Sequence, residues 1–267
     1  MIRLGSVPYV NALPLVAQFE DDPGLGIEVV YDVPSRLPTM LAGGEVAAVL
    51  VSSWHLLANP GLRAAAGVCI GSQGAVESVR LFSQVPFAEV RSLALDQSSM
   101  TSNALALAIL RSRFCAEPKA EPCPPDLAAM LGCHDAALLI GDAGMEARGE
   151  GLHVLDLGAA WSEWKGLPFV WALWVGGEGL DDRLAGRLLE ARDYTGLGSD
   201  GAGPNEAGRR VLARAEAQAG STAGGYLQRA VSYQVGPREE TALREFASVA
   251  GLGGVEPRWQ GCRGLKV

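Results

Sequence analysis

The chain has 267 residues, a formal net charge of −8, 48% hydrophobic residues and 19% charged residues. This composition excludes an intrinsically disordered chain and is typical of a globular protein with a sizeable core. The acidic balance provides no basic face for a phosphate backbone, so we expect no nucleic acid partner.

Short apolar runs alternate with helical patterns over most of the chain, which is typical of an α/β protein with a mostly parallel sheet. The predicted strands cover residues 2–7, 27–32, 47–51, 78–83, 92–95, 136–140, 153–156 and 170–175. The predicted helices cover residues 11–19, 35–43, 99–113, 125–131, 143–148, 181–195, 205–219, 223–232 and 237–249.

The order of these elements predicts two lobes. Residues 81–90 are interpreted as a connection into the second lobe, and the extended run near 168–175 as the return connection. We therefore predict a first lobe of residues 1–88 and 177–267, which includes the C-terminal helices, and a second lobe of residues 89–176. Two connected α/β lobes with a ligand cleft between them form the type II periplasmic-binding-protein-like fold, although a fold alone does not determine function.

Small polar residues follow almost every predicted strand. Ligands of open α/β sheets bind beyond the carboxyl ends of the strands, so these residues are the candidates for a small-molecule site. They are Tyr9, Asn11, Ser35, Ser52, Ser78, Arg80, Ser98, Ser99, Thr101, Ser102, Gly141, Asp142 and Trp161.

Several of these residues also have a purely structural interpretation. The run from Ser98 to Ser102 can cap a helix, or it can bind a carboxylate with its hydroxyls and with the helix N–H groups, and both roles are compatible. Asn11 and Asp142 can likewise be helix caps. Arg80 can form a salt bridge or clamp a carboxylate. Trp161, which is predicted to lie in a loop, can line a cleft or close a core.

Motifs for common catalytic mechanisms are missing from the sequence. His55, His134 and His153 lie in apolar surroundings without a neighbouring carboxylate or nucleophile motif, so we do not expect them to be catalysts. The sequence also lacks a G-x-S-x-G elbow, a P-loop, a dinucleotide-binding fingerprint and an H-E-x-x-H motif. These absences disfavour a serine hydrolase, an NTPase, a dehydrogenase and a zinc protease.

The five cysteines contain no C-x-x-C pair, so neither a disulfide framework nor a zinc site is expected. Cys123 and Cys133 could bind a metal only together with His134, and we expect no metal and no cofactor. The longest apolar runs are far shorter than the roughly 20 residues of a membrane span. Because no export signal is visible either, we expect a cytoplasmic protein.

The opening residues 4–15, LGSVPYVNALPL, resemble the G-x-V-x-Y-x-N-x-x-P-L start of the chorismate dehydratases of the futalosine route to menaquinone. Further similar segments follow in order and cover most of the chain. They are residues 74–83, 98–102, 139–143, 156–161, 167–174 and 226–246. One departure is Ala47, where many relatives carry Asp.

The resemblance implies a hydro-lyase that converts chorismate to 3-[(1-carboxyvinyl)oxy]benzoate without a cofactor. Loss of the C3 proton gives an anion that extends into the C1 carboxylate, so donors that hold this carboxylate would stabilise the developing charge. Ser98, Ser99, Thr101 and Ser102 are the candidate donors. Asn11 and Asp142 are the catalytic candidates, and Phe169 is an additional substrate-binding candidate. The base is either Asp142 or the enolpyruvyl carboxylate of chorismate, oriented by Asn11 and by Ser52 or Arg80.

Two alternatives stay open. One is 1,4-dihydroxy-6-naphthoate synthase of the same pathway, although its expected Ser-Pro-rich opening is replaced here by Tyr9-Val10-Asn11. The other is a binding protein that carries a small carboxylate without chemistry. The helix-rich C-terminal part is compatible with a homodimer.

Overall fold

Two β-sheets with surrounding helices divide the chain into two lobes in a computed structural model, which describes residues 1–197 and 203–261. The loop predicted at residues 196–203 falls largely outside these ranges, and Cys262 falls outside them entirely. Within the described ranges, no helix combines the length and the apolar character needed to cross a membrane.

The first sheet has six strands in the order β11-β4-β10-β3-β1-β2. Its strands are β1 (Ile2–Ser6), β2 (Ile27–Tyr31), β3 (Ala48–Ser52), β4 (Arg63–Ser72), β10 (Phe169–Gly176) and β11 (Trp259–Gln260). Strand β1 is parallel to β2 and β3, whereas β10 is antiparallel to both β3 and β4.

The second sheet has five strands in the order β7-β6-β8-β5-β9. Its strands are β5 (Val79–Ser83), β6 (Ser92–Asp96), β7 (Lys119–Cys123), β8 (Ala136–Ile140) and β9 (His153–Asp156). Strand β5 is antiparallel to β8 and β9, and β6 is parallel to β7 and β8. Each sheet is therefore mixed: most of its strands run in one direction, as predicted, and one strand, β10 in the first sheet and β5 in the second, runs opposite to its neighbours.

Seven helices accompany the first sheet in the described part of the chain, and four accompany the second. The first group is α1 (Leu13–Asp21), α2 (Leu37–Ala42), α3 (Ser53–Ala58), α8 (Asp182–Tyr194), α9 (Glu206–Ala219), α10 (Ala223–Arg229) and α11 (Pro237–Val249). The second group is α4 (Met100–Phe114), α5 (Leu127–Leu131), α6 (Gly141–Glu146) and α7 (Leu157–Lys165).

The chain crosses between the sheets at residues 73–78 and again at 166–168. Both predicted lobe boundaries, at 88 and at 176, therefore need correction. The predicted connection at 81–90 begins too early, because residues 81–83 belong to strand β5, which pairs with β8 and β9 and buries Leu81 and Phe82. The strand after the second crossing belongs to the first sheet.

The first crossing is held by hydrogen bonds from its backbone. The Asp156 carboxylate accepts from the amides of Val76 at 3.0 Å and Glu77 at 2.7 Å, and the Ser162 hydroxyl accepts from the Gly74 amide at 2.9 Å. Helix α7 approaches so closely that a Cβ on Gly158 would lie 2.5 Å from the Gly74 carbonyl oxygen. The strand crossing is thus packed against α7.

Candidate active-site cleft

A cavity of about 180 Å³ lies between the two lobes. A cavity of about 150 Å³ is large enough for benzene, so this volume suits one small ring compound. Many of the predicted site residues meet in its lining: Tyr9, Asn11, Ser35, Ser52, Ser78, Ser98, Ser99, Thr101, Ser102 and Gly141. They come from the ends of strands in both lobes, as the sheet-edge argument expects.

Trp161 and Phe169 do not line the cavity, so their predicted substrate contact is wrong. Their side chains are 0% and 1% exposed, and their ring centroids lie 5.2 Å apart. The Trp161 indole N–H donates to the Pro168 carbonyl at 2.9 Å, and Phe169 also packs on Phe246. Trp161 belongs to α7 rather than to a loop. These aromatic side chains form core beneath the cleft.

Arg80 also points away from the cavity. Its guanidinium donates to the carbonyls of Gly144 at 3.2 Å and Ala147 at 3.0 Å, and lies 4.8 Å from the centre of the Phe82 ring. It lines a separate crevice that also contains Arg229. The prediction that Arg80 clamps a substrate carboxylate is therefore not supported by its position.

Asp142 lies next to the cavity but not in its lining, to which the preceding Ile140 and Gly141 contribute. The side chain is half-buried at the start of α6. Burial, and secondarily the nearby Glu146 carboxylate, raise the pKa of Asp142. Its charge acts on two residues that do line the cavity, because it adds to the rise that burial causes in the pKa of both Tyr9 and Tyr226.

Helix α4 begins at the cavity, and its serines are already engaged in local hydrogen bonds. The Ser99 hydroxyl accepts from the Ser102 amide at 3.2 Å, as an N-cap does. The Ser98 hydroxyl donates to the Asp96 carboxylate at 2.5 Å. The capping interpretation therefore holds for Ser99, while the positive end of the α4 dipole still faces the cleft.

Thr101 connects the two lobes across the cleft. Its hydroxyl accepts from the Trp54 amide of α3 at 3.1 Å and lies 3.4 Å from the Ser53 hydroxyl. Ser53 in turn donates to the Val170 carbonyl at 2.7 Å. The start of α3 in the first lobe therefore contacts the start of α4 in the second.

Tyr226 is a cleft residue that the strand-end argument missed. Its phenol oxygen lies 3.0 Å from the Ser78 hydroxyl, and its side chain is 2% exposed. Burial raises the pKa of Tyr226, and hydrogen bonds with Ser78 and Asn11 partly oppose that rise. Tyr226 belongs to α10, far along the chain from every strand end, and its only signal was its place within the resembling segment 226–246.

His55 also lines the cavity, although the sequence offered no reason to place it there. The Asn59 side-chain amide donates to the His55 carbonyl at 2.8 Å and lies 3.4 Å from Nδ1. Burial lowers the pKa of His55, which favours the neutral ring.

The described lining contains no Arg, Lys, Asp or Glu. An anion in this cavity would therefore be held by hydroxyls, backbone N–H groups and the α4 N-terminus rather than by a cationic side chain. Among the apolar lining residues, Trp171 donates its indole N–H to the Ser72 hydroxyl at 3.0 Å, which fixes the ring against the cavity.

Comparison with known proteins places residues 2–251 in a family described as menaquinone biosynthesis. A chorismate dehydratase of Thermus thermophilus is 31% identical over 190 residues, which cover 64% of this chain and 68% of that protein.

Solved structures agree on the fold. A protein from Archaeoglobus fulgidus has a TM-score of 0.70 at 19% identity, covering 94% of this chain and 96% of the other. The periplasmic aliphatic sulphonate binding protein of Escherichia coli has a TM-score of 0.62 at 12% identity, covering 100% and 95%. The predicted periplasmic-binding-protein-like fold is thus confirmed.

Proposed function

The chain belongs to the menaquinone biosynthesis family, and from this premise we propose that it is a chorismate dehydratase, which removes water from chorismate to give 3-[(1-carboxyvinyl)oxy]benzoate. The observation that carries the proposal is its 31% identity to a chorismate dehydratase over 190 residues. The cleft supports it as well, because a cavity of about 180 Å³ that combines serine and threonine hydroxyls with apolar side chains suits a small ring that carries polar groups.

The C1 carboxylate of chorismate would bind at the start of α4. Loss of the C3 proton moves negative charge into this carboxylate, so a helix N-terminus there stabilises the anion more than the substrate. Ser99 and Ser102 line this end of the cavity and supply hydroxyls beside the helix N–H groups, whereas the one hydroxyl proton of Ser98 is already donated to Asp96. Because the Thr101 hydroxyl is engaged with α3, we expect it to hold the lobes rather than the substrate.

The enolpyruvyl carboxylate of chorismate would act as the base. No Asp or Glu belongs to the described lining, so the nearest available carboxylate is that of the substrate. It would take the C3 proton to give the delocalised anion, whose electron pair then completes the aromatic ring as the C4–O bond breaks. The resulting carboxylic acid would return the proton to the departing hydroxide, so that water is released. Asn11 and Ser52 would orient the two groups, which is the main catalytic contribution that such a site has to make.

Asp142→Asn separates this mechanism from one in which Asp142 is the base. Substrate assistance predicts that the variant keeps most of its turnover, because Asp142 lies outside the cavity lining. We would measure kcat together with the Kd for chorismate. Complete loss of turnover with intact chorismate binding would assign the base to Asp142.

The activity itself is tested by incubating the purified chain with chorismate and following the product by mass and absorbance. Asn11→Asp should strongly reduce turnover, since it adds a negative charge beside a dianionic substrate. Asn205→Asp, the same change at the N-cap of α9, should not. Bound but unchanged chorismate would indicate a binding protein, and no binding at all would favour the naphthoate synthase.

We further propose that the protein is cytoplasmic. Cys69, Cys115, Cys123 and Cys133 are free thiols, which fits a reducing compartment such as the cytoplasm. The homodimer suggested by the helical C-terminal part stays a prediction, which analytical ultracentrifugation would test.

A further inference from the structure

A second group of chemically reactive side chains lies on the outer edge of the second lobe, away from the cleft. Ligand atoms of Glu121, Cys123 and His134 all lie within 4.8 Å of one another. Glu121 and Cys123 belong to β7, the edge strand of the second sheet, and His134 follows α5. The sequence joins Cys123 and His134 as possible ligands only together with Cys133 and predicts no metal. The pairing of β7 and the turn after α5 bring Glu121 to them instead.

The hydrogen bonds of His134 are the main observation. Its Nδ1 lies 3.0 Å from the Met130 carbonyl oxygen, which only accepts, so Nδ1 carries a proton. Its Nε2 lies 2.8 Å from the Glu121 carboxylate, which also only accepts when ionised. Without a metal the Nε2···Oε1 contact needs a second proton, on the ring or on the carboxyl group, and a metal ion bound by both groups would replace that proton.

We propose that Glu121, Cys123 and His134 bind one Zn²⁺ ion. A thiolate, an imidazole and a carboxylate are all preferred zinc ligands, and three protein ligands with a water in the fourth position form a known arrangement. The bond from Nδ1 to a backbone carbonyl is the outer contact that orients most metal-binding histidines.

The required movement is small. Zinc bonds of about 2.0–2.3 Å keep neighbouring ligand atoms roughly 3.5 Å apart. The distance from His134 Nε2 to Glu121 Oε1 would have to lengthen from 2.8 Å to this value. Any pair of ligand atoms near the upper limit of 4.8 Å would have to move closer together. Glu121 can make this adjustment, because its side chain is 67% exposed while that of His134 is 8% exposed.

Such an ion would tie an edge strand to the sheet interior. Strand β7 is otherwise paired on one side only, with β6, and most of its residues are exposed. A metal shared with His134 would connect β7 to the turn that leads into β8. The expected effect is a more stable second lobe, because a ligand that binds only the folded state stabilises it.

Cobalt provides a direct probe. The full chain, reduced and freed of metal by a chelator, should bind one equivalent of Co²⁺ with a thiolate-to-cobalt charge-transfer band that Zn²⁺ abolishes. Cys123→Ser should lose this band. Cys115→Ser, a matched change of an exposed thiol at the end of α4, should keep it.

Two further measurements guard against a misfolded variant. Glu121→Gln alters an exposed side chain, and zinc competition with a chromophoric chelator should show its affinity lowered by at least about tenfold. Zinc should raise the Tm of the wild type but not that of Cys123→Ser, while the two metal-free proteins should melt alike. Absence of a band in the wild type, or a band that survives Cys123→Ser, would overturn the proposal.

Discussion

At the scale of single residues, the cleft depends on side chains that come from distant parts of the chain. Asn11 follows the first strand, Ser78 ends the first crossing and Tyr226 lies in α10. The Tyr226 phenol hydrogen-bonds to Ser78 at 3.0 Å and also interacts with Asn11. Tyr226 therefore holds two other lining residues in place, and we expect it to act as a positioning residue.

Tyr226→Phe should lower kcat about tenfold or less, because a single hydrogen bond contributes roughly 0.5–1.5 kcal/mol. The KM should change less than kcat if the bond orients groups rather than binds substrate. Steady-state kinetics with chorismate measure both constants. Tyr194→Phe removes an exposed phenol that donates to Asp21 and serves as the control. An unchanged kcat in Tyr226→Phe would remove the phenol from the mechanism.

The polar residues of the cleft were more predictable from the sequence than its aromatic residues. Hydroxyls directly after strands have to lie at a sheet edge, so Ser52 and Ser98 were placed by local pattern alone. Trp161 follows a strand as well, but its large apolar ring packs inside the core. Burying the ring is favourable, and its one N–H is satisfied there by a hydrogen bond to a backbone carbonyl. Tyr226 could not be found in this way, because only tertiary packing brings α10 to the cleft.

At the scale of secondary structure, Asp135 joins three strands of the second sheet. Its carboxylate accepts from the amides of Arg91 and Ser92, each at 2.9 Å, just where β6 begins. Its own carbonyl accepts from the Gln84 amide after β5, at 2.9 Å. The hydrogen bond from Arg91 N–H is the largest cause of a lowered pKa at Asp135, and the Ser92 donors add to it.

Asp135→Asn should lower the free energy of unfolding by about 1 kcal/mol at pH 7, since it weakens charge-assisted hydrogen bonds at a partly exposed site. A carboxyl group whose pKa is lowered by folding stabilises the protein above its unfolded value of about 3.9. The difference from the wild type should therefore persist at pH 5 and shrink as the pH falls further. Urea denaturation at several pH values measures it, and a constant difference at every pH would contradict the prediction.

Strands with β-branched or large apolar residues were predictable, whereas β4 was not. Its sequence, RAAAGVCIGS, is rich in alanine and glycine, which have low strand propensity. It is a strand because β10 and β11 flank it in the sheet. The edge strand β7 was missed for a similar reason, since Lys119 and Pro122 give it no apolar pattern.

At the scale of the whole molecule, the two lobes contact each other through the starts of α3 and α4. Thr101→Val should favour a more open molecule, because the Trp54 amide loses its acceptor and an unpaired buried amide costs about 1–3 kcal/mol. Small-angle X-ray scattering should show a larger radius of gyration without ligand. Thr241→Val, on the exposed face of α11, is the control. An unchanged radius would mean that other contacts hold the lobes together.

The uncharged lining of the cleft should affect the rate at which a dianion such as chorismate associates with the protein. A chain with a net charge of −8 repels chorismate at long range, and no cation in the described lining draws it in. Added salt screens this repulsion, so the association rate should rise with ionic strength, opposite to the usual behaviour of anion-binding sites. Stopped-flow binding at low and physiological salt would show the effect, and the protein would gain rather than lose access to chorismate at physiological ionic strength.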